Sequence, residues 1–188
     1  MIVTHPDLPM PELIVIGGAP GCGKSTLAER LRALLRGPWI DFGRLREFHL
    51  ERDWSNQGPE EEAMTFENLL SIIRNYIRHG YRNIIVDDLR DHRIQQVPIV
   101  LPDVSLRIVT LVVSDPAELR RRIETRNDGW KDVGAAVEWN QRVMARASVA
   151  HECKIDVTNK SPDAVLEDVL RELGVSRKAP APASEAPV

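Results

Sequence analysis

The sequence predicts a three-layer α/β fold, in which helices cover both faces of a five-stranded parallel sheet. Short apolar strand patterns alternate with helical patterns along most of the chain, which is the order that a parallel sheet requires. Strand candidates such as 13–17 and 106–113 are nearly continuous apolar runs, typical of strands buried on both faces. The 188 residues, 43% hydrophobic and 28% charged, fit one globular domain with a sizeable core.

Local signals place each element along the chain. Residues 1–12 are expected to form an irregular lead-in and 175–188 a flexible Pro/Ala tail, so the predicted domain spans 13–174. Apolar runs predict strands at 13–17, 39–42, 83–87, 106–113 and 154–157. Amphipathic spacing predicts helices from 24 and around 44–52, 60–79, 116–125, 133–147 and 161–173. Two helix starts carry an N-cap residue followed by proline, at Asp115 and at Ser161.

A glycine-rich loop, here called the P-loop, joins the first predicted strand to the first predicted helix. It consists of Gly18, Ala19, Pro20, Gly21, Cys22, Gly23, Lys24, Ser25 and Thr26. Its glycines let backbone N–H groups converge on phosphate oxygens, and the following helix directs its positive end at them. Lys24 is placed to reach the β- and γ-phosphates and Ser25 to bind Mg²⁺. The strand–loop–helix context therefore predicts a site for ATP and Mg²⁺.

Two acids stand at the end of the strand predicted at 83–87. A carboxylate in this position faces the metal beside a P-loop. Asp87 is the preferred residue to serve Mg²⁺ or a water on it, and Asp88 is expected to point at the acceptor. The alternative is that both acids cap the following turn. In motor ATPases a glutamate at this point polarises the attacking water. No glutamate follows the two acids here, so steady ATP hydrolysis is not the expected main activity.

Asp41 and Arg44 follow the second predicted strand, where doubly wound folds present side chains to the cleft. A carboxylate there is able to accept the proton of an attacking hydroxyl. Arg44, one helical turn further on, is expected to hold an anionic acceptor or Asp41 itself. The alternative is that Asp41 caps a helix beginning near Gly43 and that Arg44 is solvated.

Arg122 and Arg126 lie four residues apart on one face of a basic helix that runs into a polar turn. We expect one of them to stack on adenine and the other to reach the transferring phosphoryl group. This arrangement describes a short helical lid, whose closure excludes water. The alternative is a solvated amphipathic helix with favourable charge at its C-terminus.

The overall charge, the lengths of the apolar stretches and the two cysteines argue against several classes of protein. Net charge is −3 and the basic residues are scattered, so a duplex-binding surface is not expected. No apolar stretch approaches membrane-spanning length and no signal-peptide pattern is present, so we expect a cytoplasmic protein with no membrane partner. Cys22 and Cys153 are not expected to form a disulfide. A secondary hypothesis is that the P-loop amides lower the pKa of Cys22 and make it redox-sensitive.

The motifs resemble, in order and spacing over 13–173, the small P-loop kinases of the adenylate-kinase-like superfamily. The pattern is most similar to the polynucleotide-kinase and zeta-toxin-like group, and 37–43 also resembles chloramphenicol phosphotransferase. The resemblance implies a three-layer P-loop NTPase fold, with Asp41 as the base and Arg44 binding substrate. It further implies that 156–162, including Asn159, lines the adenine.

These motifs together predict a phosphotransferase that uses ATP and Mg²⁺ to phosphorylate a hydroxyl of a nucleoside, nucleotide or sugar-like metabolite. Lys24 and Arg126 are expected to stabilise the transferring phosphoryl group. One alternative is a polynucleotide 5′-hydroxyl kinase, for which a strand end is the only expected nucleic-acid partner. Another is a nucleotide-dependent switch or accessory ATPase without an acceptor.

Overall fold

A wholly parallel five-stranded sheet forms the centre of the computed structural model, which describes residues 2–4, 10–127 and 129–177. The strands of the described residues are β1 (Ile2–Thr4), β2 (Leu13–Gly17), β3 (Trp39–Asp41), β4 (Ile84–Asp87), β5 (Leu106–Val112), β6 (Glu152–Asp156) and β7 (Val175–Arg177). Their helices are α1 (Lys24–Leu35), α2 (Phe42–Arg46), α3 (Pro59–Arg78), α4 (Asp91–Val100), α5 (Pro116–Thr125), α6 (Val133–Ala145) and α7 (Pro162–Glu172). None of the helices in these ranges combines the length and the apolar character needed to cross a membrane.

The sheet order is β3-β4-β2-β5-β6, with every neighbouring pair parallel. Since the strands run in one direction, their carboxyl ends lie at the same edge. The register pairs Asp41 with Asp87 and Val15 with Val86. The loops after β2, β3 and β4 therefore emerge side by side, and this edge carries the P-loop and the predicted acids.

Alternating strand residues supply two hydrophobic layers, one on each face of the sheet. Ile14, Ile16 and Ile85 face a core shared with α1, α5, α6 and α7. Val15 and Val86 face the opposite core, which α3 and α4 cover. The predicted three-layer fold with a five-stranded parallel sheet is confirmed.

The structure differs from the sequence expectation at both ends of the chain. Residues 2–4, within the expected irregular lead-in, form β1, which pairs antiparallel with β7 at 175–177, within the expected flexible tail. Residues 178–188 of the tail lie outside the described residues. The pairing joins two short segments far apart in sequence, and neither segment alone carries a strand signal.

Two helices also differ from their predicted positions. Helix α4 was not predicted at all. It contains Pro98 and begins with the charged Asp91, and both features are typical of a turn. Its buried Ile94 and Val97 nevertheless hold it against the sheet. Helix α2 spans only 42–46 rather than 44–52, because 47–58 forms a series of turns and bends instead.

Candidate active site

The P-loop has the backbone geometry that phosphate binding requires. Gly18, Gly21 and Gly23 adopt φ angles of 127°, 86° and 95°, where a side chain is strained. A Cβ on Gly18 would also collide with the carbonyl oxygen of Leu111. These glycines let the loop bend tightly over the end of β2 and start α1 directly at Lys24.

Lys24 lies across the loop toward the acidic side of the site. Its side chain is buried, and its Nζ donates to the carbonyl oxygen of Ala19 at 3.3 Å. The same Nζ stands 3.6 Å from Oδ1 of Asp88. Ser25 and Thr26, in the first turn of α1, are exposed. Lysine and hydroxyls are thus presented at the end of the helix that carries positive partial charge.

Cys22 is buried in the loop and its thiol donates to Oδ1 of Asn140 at 3.7 Å. Burial raises the pKa of Cys22, and the opposing charge of Lys24 does not offset it. The hypothesis that the pKa of Cys22 is lowered is therefore wrong, because loss of hydration outweighs the loop amides. The Asn140 side chain also bonds both backbone groups of Val113, at 3.1 and 2.7 Å, so it links the P-loop to the end of β5 and to α6.

Asp87 is fully buried at the end of β4, on the sheet face that α1 covers. The indole Nε1 of Trp39 donates to its Oδ1 at 2.8 Å. Its Oδ2 is buried and has no hydrogen-bond partner among the described residues. The pKa of Asp87 is raised to about 6, chiefly by burial and also by the neighbouring carboxylates of Asp41 and Asp88.

Asp88 adopts a left-handed backbone conformation, with φ 62°. Half of its side chain is exposed, at 53%. Loss of hydration where it lies against the P-loop raises its pKa, and the positive charge of Lys24 opposes that rise. The strand end therefore presents one buried and one open carboxylate.

Asp41 and Asp88 converge on Gly43. A Cβ built on Gly43 would lie 2.7 Å from Oδ2 of Asp88 and 3.2 Å from Oδ1 of Asp41, so only glycine leaves room for both acids. Asp41 also caps α2, since its Oδ1 accepts from the backbone N–H of Arg44 at 3.0 Å. Arg44 is 77% exposed, with its Nε 3.9 Å from Oδ2 of Asp41. The capping alternative is correct, and the same carboxylate still faces the site.

The donor set fits Mg²⁺. The unpartnered Oδ2 of Asp87 and the Ser25 hydroxyl are hard oxygen ligands of the kind that this ion prefers. No group of three or more acidic, histidine or cysteine side chains that could hold a metal occurs among the described residues. A cation here would accordingly take most of its coordination from nucleotide phosphates and water, as Mg²⁺ does at phosphate sites.

A pocket of about 250 Å³ lies between α1, α5 and the loop after β6. Its lining residues are Cys22, Gly23, Thr26, Leu27, Arg122, Val157, Lys160, Pro162 and Val165. Arg122 donates to the carbonyl oxygen of Val157 at 2.9 Å and is paired with Glu118. Glu118 in turn accepts from the backbone N–H of Asn159 at 2.9 Å.

This pocket adjoins the P-loop, since Cys22 and Gly23 form part of its wall. Three residues of the predicted adenine loop, Val157, Lys160 and Pro162, line it. Asn159 does not, because its backbone is bound to Glu118 and its side chain is exposed. Glu118 was not predicted, although its position four residues before Arg122 is a signal for an ion pair.

Arg126 is the C-cap residue of α5 and is not among the residues that line this pocket. Its side chain lies against the backbone of Gly129, where a Cβ would stand 2.5 Å from Nη2. Its Nε is buried and has no hydrogen-bond partner among the described residues. Its charge acts to lower the pKa of Asp88, against the stronger effect of burial. Arg122 therefore lies at the pocket, whereas the charge of Arg126 acts on Asp88.

Helix α2 is joined to α3 by an ion pair that the sequence did not reveal. Arg46 is bound by Glu61, with Nε to Oε1 at 3.0 Å, and the guanidinium lies 5.9 Å from the ring centre of Trp54. His49 also bonds Oε1 of Glu61, at 2.9 Å. The hydrogen bond from Arg46 outweighs the effect of burial and lowers the pKa of Glu61 to about 2. The contacts fasten α2 and the following turns to α3.

Residues 14–141 match a family model described as an AAA domain. No curated protein matches the chain in sequence. Among solved structures, the chain resembles a sugar kinase from Janibacter sp. HTCC2649 at 15% identity and TM-score 0.65, with 88% of this chain and 95% of that chain covered. It also resembles a gluconokinase from Sinorhizobium meliloti 1021 at 16% identity and TM-score 0.65, covering 87% and 92%. A tunicamycin resistance protein of Deinococcus radiodurans is similar at 18% identity and TM-score 0.61, covering 92% and 100%.

Identities this low establish a shared fold and nothing finer. The predicted fold class is confirmed, since two of these structures carry the names of kinases and all three superimpose over most of their length. The family model spans more than half of the chain. The protein therefore belongs to the AAA domain family and has the fold of the small P-loop kinases.

Proposed function

We propose that the protein is an Mg²⁺-dependent phosphotransferase that moves the γ-phosphoryl group of ATP to a hydroxyl of a small molecule. The observation that carries the proposal is the convergence of Asp41 and Asp88 over Gly43, next to Lys24. Two carboxylates beside the P-loop lysine support a position for the acceptor next to the end of a bound triphosphate. The names of the sugar kinase and the gluconokinase that share the fold favour a sugar-like acceptor; a nucleoside or nucleotide belongs to the same proposed class.

Asp41 is the proposed proton acceptor. Its Oδ1 is held by the backbone of Arg44, which leaves Oδ2 for the hydroxyl proton. As the acceptor oxygen bonds to the γ-phosphorus, the bond to the β,γ-bridging oxygen breaks, ADP leaves and the proton passes to Asp41. Arg44, exposed beside this carboxylate, orients the acceptor.

Lys24 and Arg126 are the proposed sources of positive charge for the transferring group, Lys24 from the P-loop and Arg126 from the end of α5. Mg²⁺, when bound by Ser25 and Asp87, would neutralise charge on the phosphate oxygens. The base of ATP would occupy the pocket beside Arg122. Asp88 is followed by Leu89 rather than a water-polarising glutamate, which favours transfer to an acceptor over hydrolysis.

ADP release from Mg²⁺-ATP tests the proposal, with pools of sugars, nucleosides, nucleotides, aminoglycosides, chloramphenicol and a 5′-hydroxyl oligonucleotide. We expect one small-molecule pool to raise the rate, and Asp41→Asn to lower that rise by about 10²–10⁴-fold. The exposed Asp103→Asn variant is the matched control. A rise given by the oligonucleotide alone would identify a polynucleotide kinase instead.

Variants of two glycines, measured in the same assay, test the proposal independently. Gly43→Ala places a methyl group between the two acids and should lower transfer while leaving ATP binding intact. Gly58→Ala, where a Cβ meets nothing within 4 Å, should have no such effect. If ATP binds but no pool raises the rate, none of these compounds is the acceptor and a nucleotide-dependent switch is favoured over the kinase.

A further inference from the structure

Trp39 is the side chain that holds Asp87 in place. It begins β3 and reaches along the strand, two residues before Asp41, to donate its indole N–H to Oδ1 of Asp87 at 2.8 Å. The ring is partly buried and packs against the core beneath α1. Asp87 is fully buried, so this hydrogen bond restricts a carboxylate that has little room to turn.

The hydrogen bond makes the two oxygens of Asp87 unequal. Oδ1 is satisfied by the indole, while Oδ2 is buried without a partner among the described residues. A buried carboxylate oxygen left without a partner is costly, and it persists where a ligand or ion completes it. The lone donor on Oδ1 therefore determines which oxygen remains for the cation and its waters.

We propose that Trp39 is a positioning residue for the Mg²⁺ site, which fixes Asp87 so that Oδ2 is directed at the hydrated cation beside the P-loop. This inference rests on the proposed function in assigning Asp87 to the metal. Groups that orient metal-binding carboxylates commonly change metal affinity by 10–100-fold when they are removed. Trp39 acts in this way through a single N–H, and its aromatic ring serves packing.

Trp39→Phe separates the two roles, because it removes the N–H and keeps most of the ring. Trp139→Phe is the matched control: Trp139 is also partly buried and packs against the same core. The readout is the affinity for ADP, measured by calorimetry in EDTA and again at increasing Mg²⁺, which requires no acceptor. A purely structural role would change both affinities alike.

We expect Trp39→Phe to require about tenfold more Mg²⁺ to reach full ADP affinity, with the affinity in EDTA unchanged. The change in tryptophan fluorescence when Mg²⁺ is added to the ADP complex should also shrink in this variant. Trp139→Phe should match the wild type in its Mg²⁺ requirement. An unaltered Mg²⁺ requirement in Trp39→Phe would overturn the proposal.

A double-mutant cycle then tests whether Trp39 acts through Asp87. In an Asp87→Ala background, adding Trp39→Phe should change the Mg²⁺ requirement by less than about twofold. A further loss as large as in the wild-type background would show that the indole acts elsewhere and would overturn the inference. If the wild-type protein fails to bind ADP with Mg²⁺, the proposed function itself is wrong, which is a different result.

Discussion

The most informative single residue is Asp87, because the feature that suits it to a metal also destabilises the unliganded fold. It is fully buried, receives one hydrogen bond and has a pKa raised from 3.8 to about 6. A carboxylate that is harder to ionise in the folded chain than in the unfolded chain weakens the fold wherever it is charged. Functional sites commonly retain such groups at the expense of stability.

Asp87→Asn should therefore stabilise the unliganded protein at pH 7 to 8, by at most about 3 kcal/mol. The folded chain binds the proton below about pH 6 and the unfolded chain only below 3.8, so the advantage of the variant should shrink as pH falls through this window. Urea unfolding of both proteins at pH 7.5 and pH 4 measures the difference. A variant less stable than wild type at pH 7.5 would contradict this account of Asp87.

The same variant should lose Mg²⁺-dependent transfer, because an amide is a poor replacement for a carboxylate near Mg²⁺. Gain of stability and loss of activity are thus expected together. An Asp87→Asn protein that keeps full Mg²⁺-dependent activity would exclude this residue from the metal site. Asp88, the other acid of the pair, would then be the stronger candidate.

Among the elements, those with dense local signals were predicted well. The P-loop strand and the proline-capped helix α5 have the predicted bounds, 13–17 and 116–125. In each, apolar periodicity and terminal residues agree with the final packing. Helix α4 was missed because Pro98 and the polar start of the helix outweigh its weak apolar stripe. Its packing against the sheet through Ile94 explains why the segment is helical.

The residues of the candidate site also fall into those that local sequence signals predicted and those that they did not. The P-loop, Asp41 and the acids after β4 follow from strand ends and spacing, and the structure brings them together. Trp39 and Glu118 were missed because their roles are contacts to residues 48 and 41 positions away in sequence. A single sequence offers no pattern for such pairs when both partners are common residue types.

One long-range cluster joins three elements beneath the site. Arg146, just after α6, bonds Asp91 at the start of α4 with its Nε at 2.9 Å and pairs with Glu152 of β6 at 2.7 Å. Glu152 has a fully buried side chain, and the hydrogen bonds from Arg146 and Thr110 lower its pKa despite burial. Removing Arg146 would leave this charge without its main partner.

Arg146→Met should accordingly destabilise the fold by about 3–5 kcal/mol, as measured by urea unfolding at pH 7. Arg142→Met is the control, since Arg142 forms a pair with Glu138 in which both side chains are 67% exposed. That pair should contribute less than about 1 kcal/mol. Equal losses from the two variants would show that the buried cluster adds nothing beyond a surface ion pair.

At the scale of the whole molecule, the charge distribution affects whether a polynucleotide or a small molecule would bind at the site. The net charge is −3. Three arginines of α2, α3 and α4 are already engaged: Arg46 by Glu61, Arg93 by Glu62, and Arg74 by the carbonyl oxygen of Val100. Arginines paired in this way are not available to neutralise a row of phosphates. We therefore expect these three arginines to contribute little to the binding of a polynucleotide.

The dependence of kcat/KM on salt concentration distinguishes a small acceptor from a polynucleotide. For a small acceptor, raising monovalent salt from 50 to 200 mM should change kcat/KM by only a fewfold, because few charges are exchanged. A polynucleotide held by six to ten phosphate contacts would lose about 10³–10⁵ in affinity over the same range. The KM for Mg²⁺-ATP, measured in parallel, controls for effects on the donor. A steep fall confined to the acceptor would favour a strand end over a metabolite.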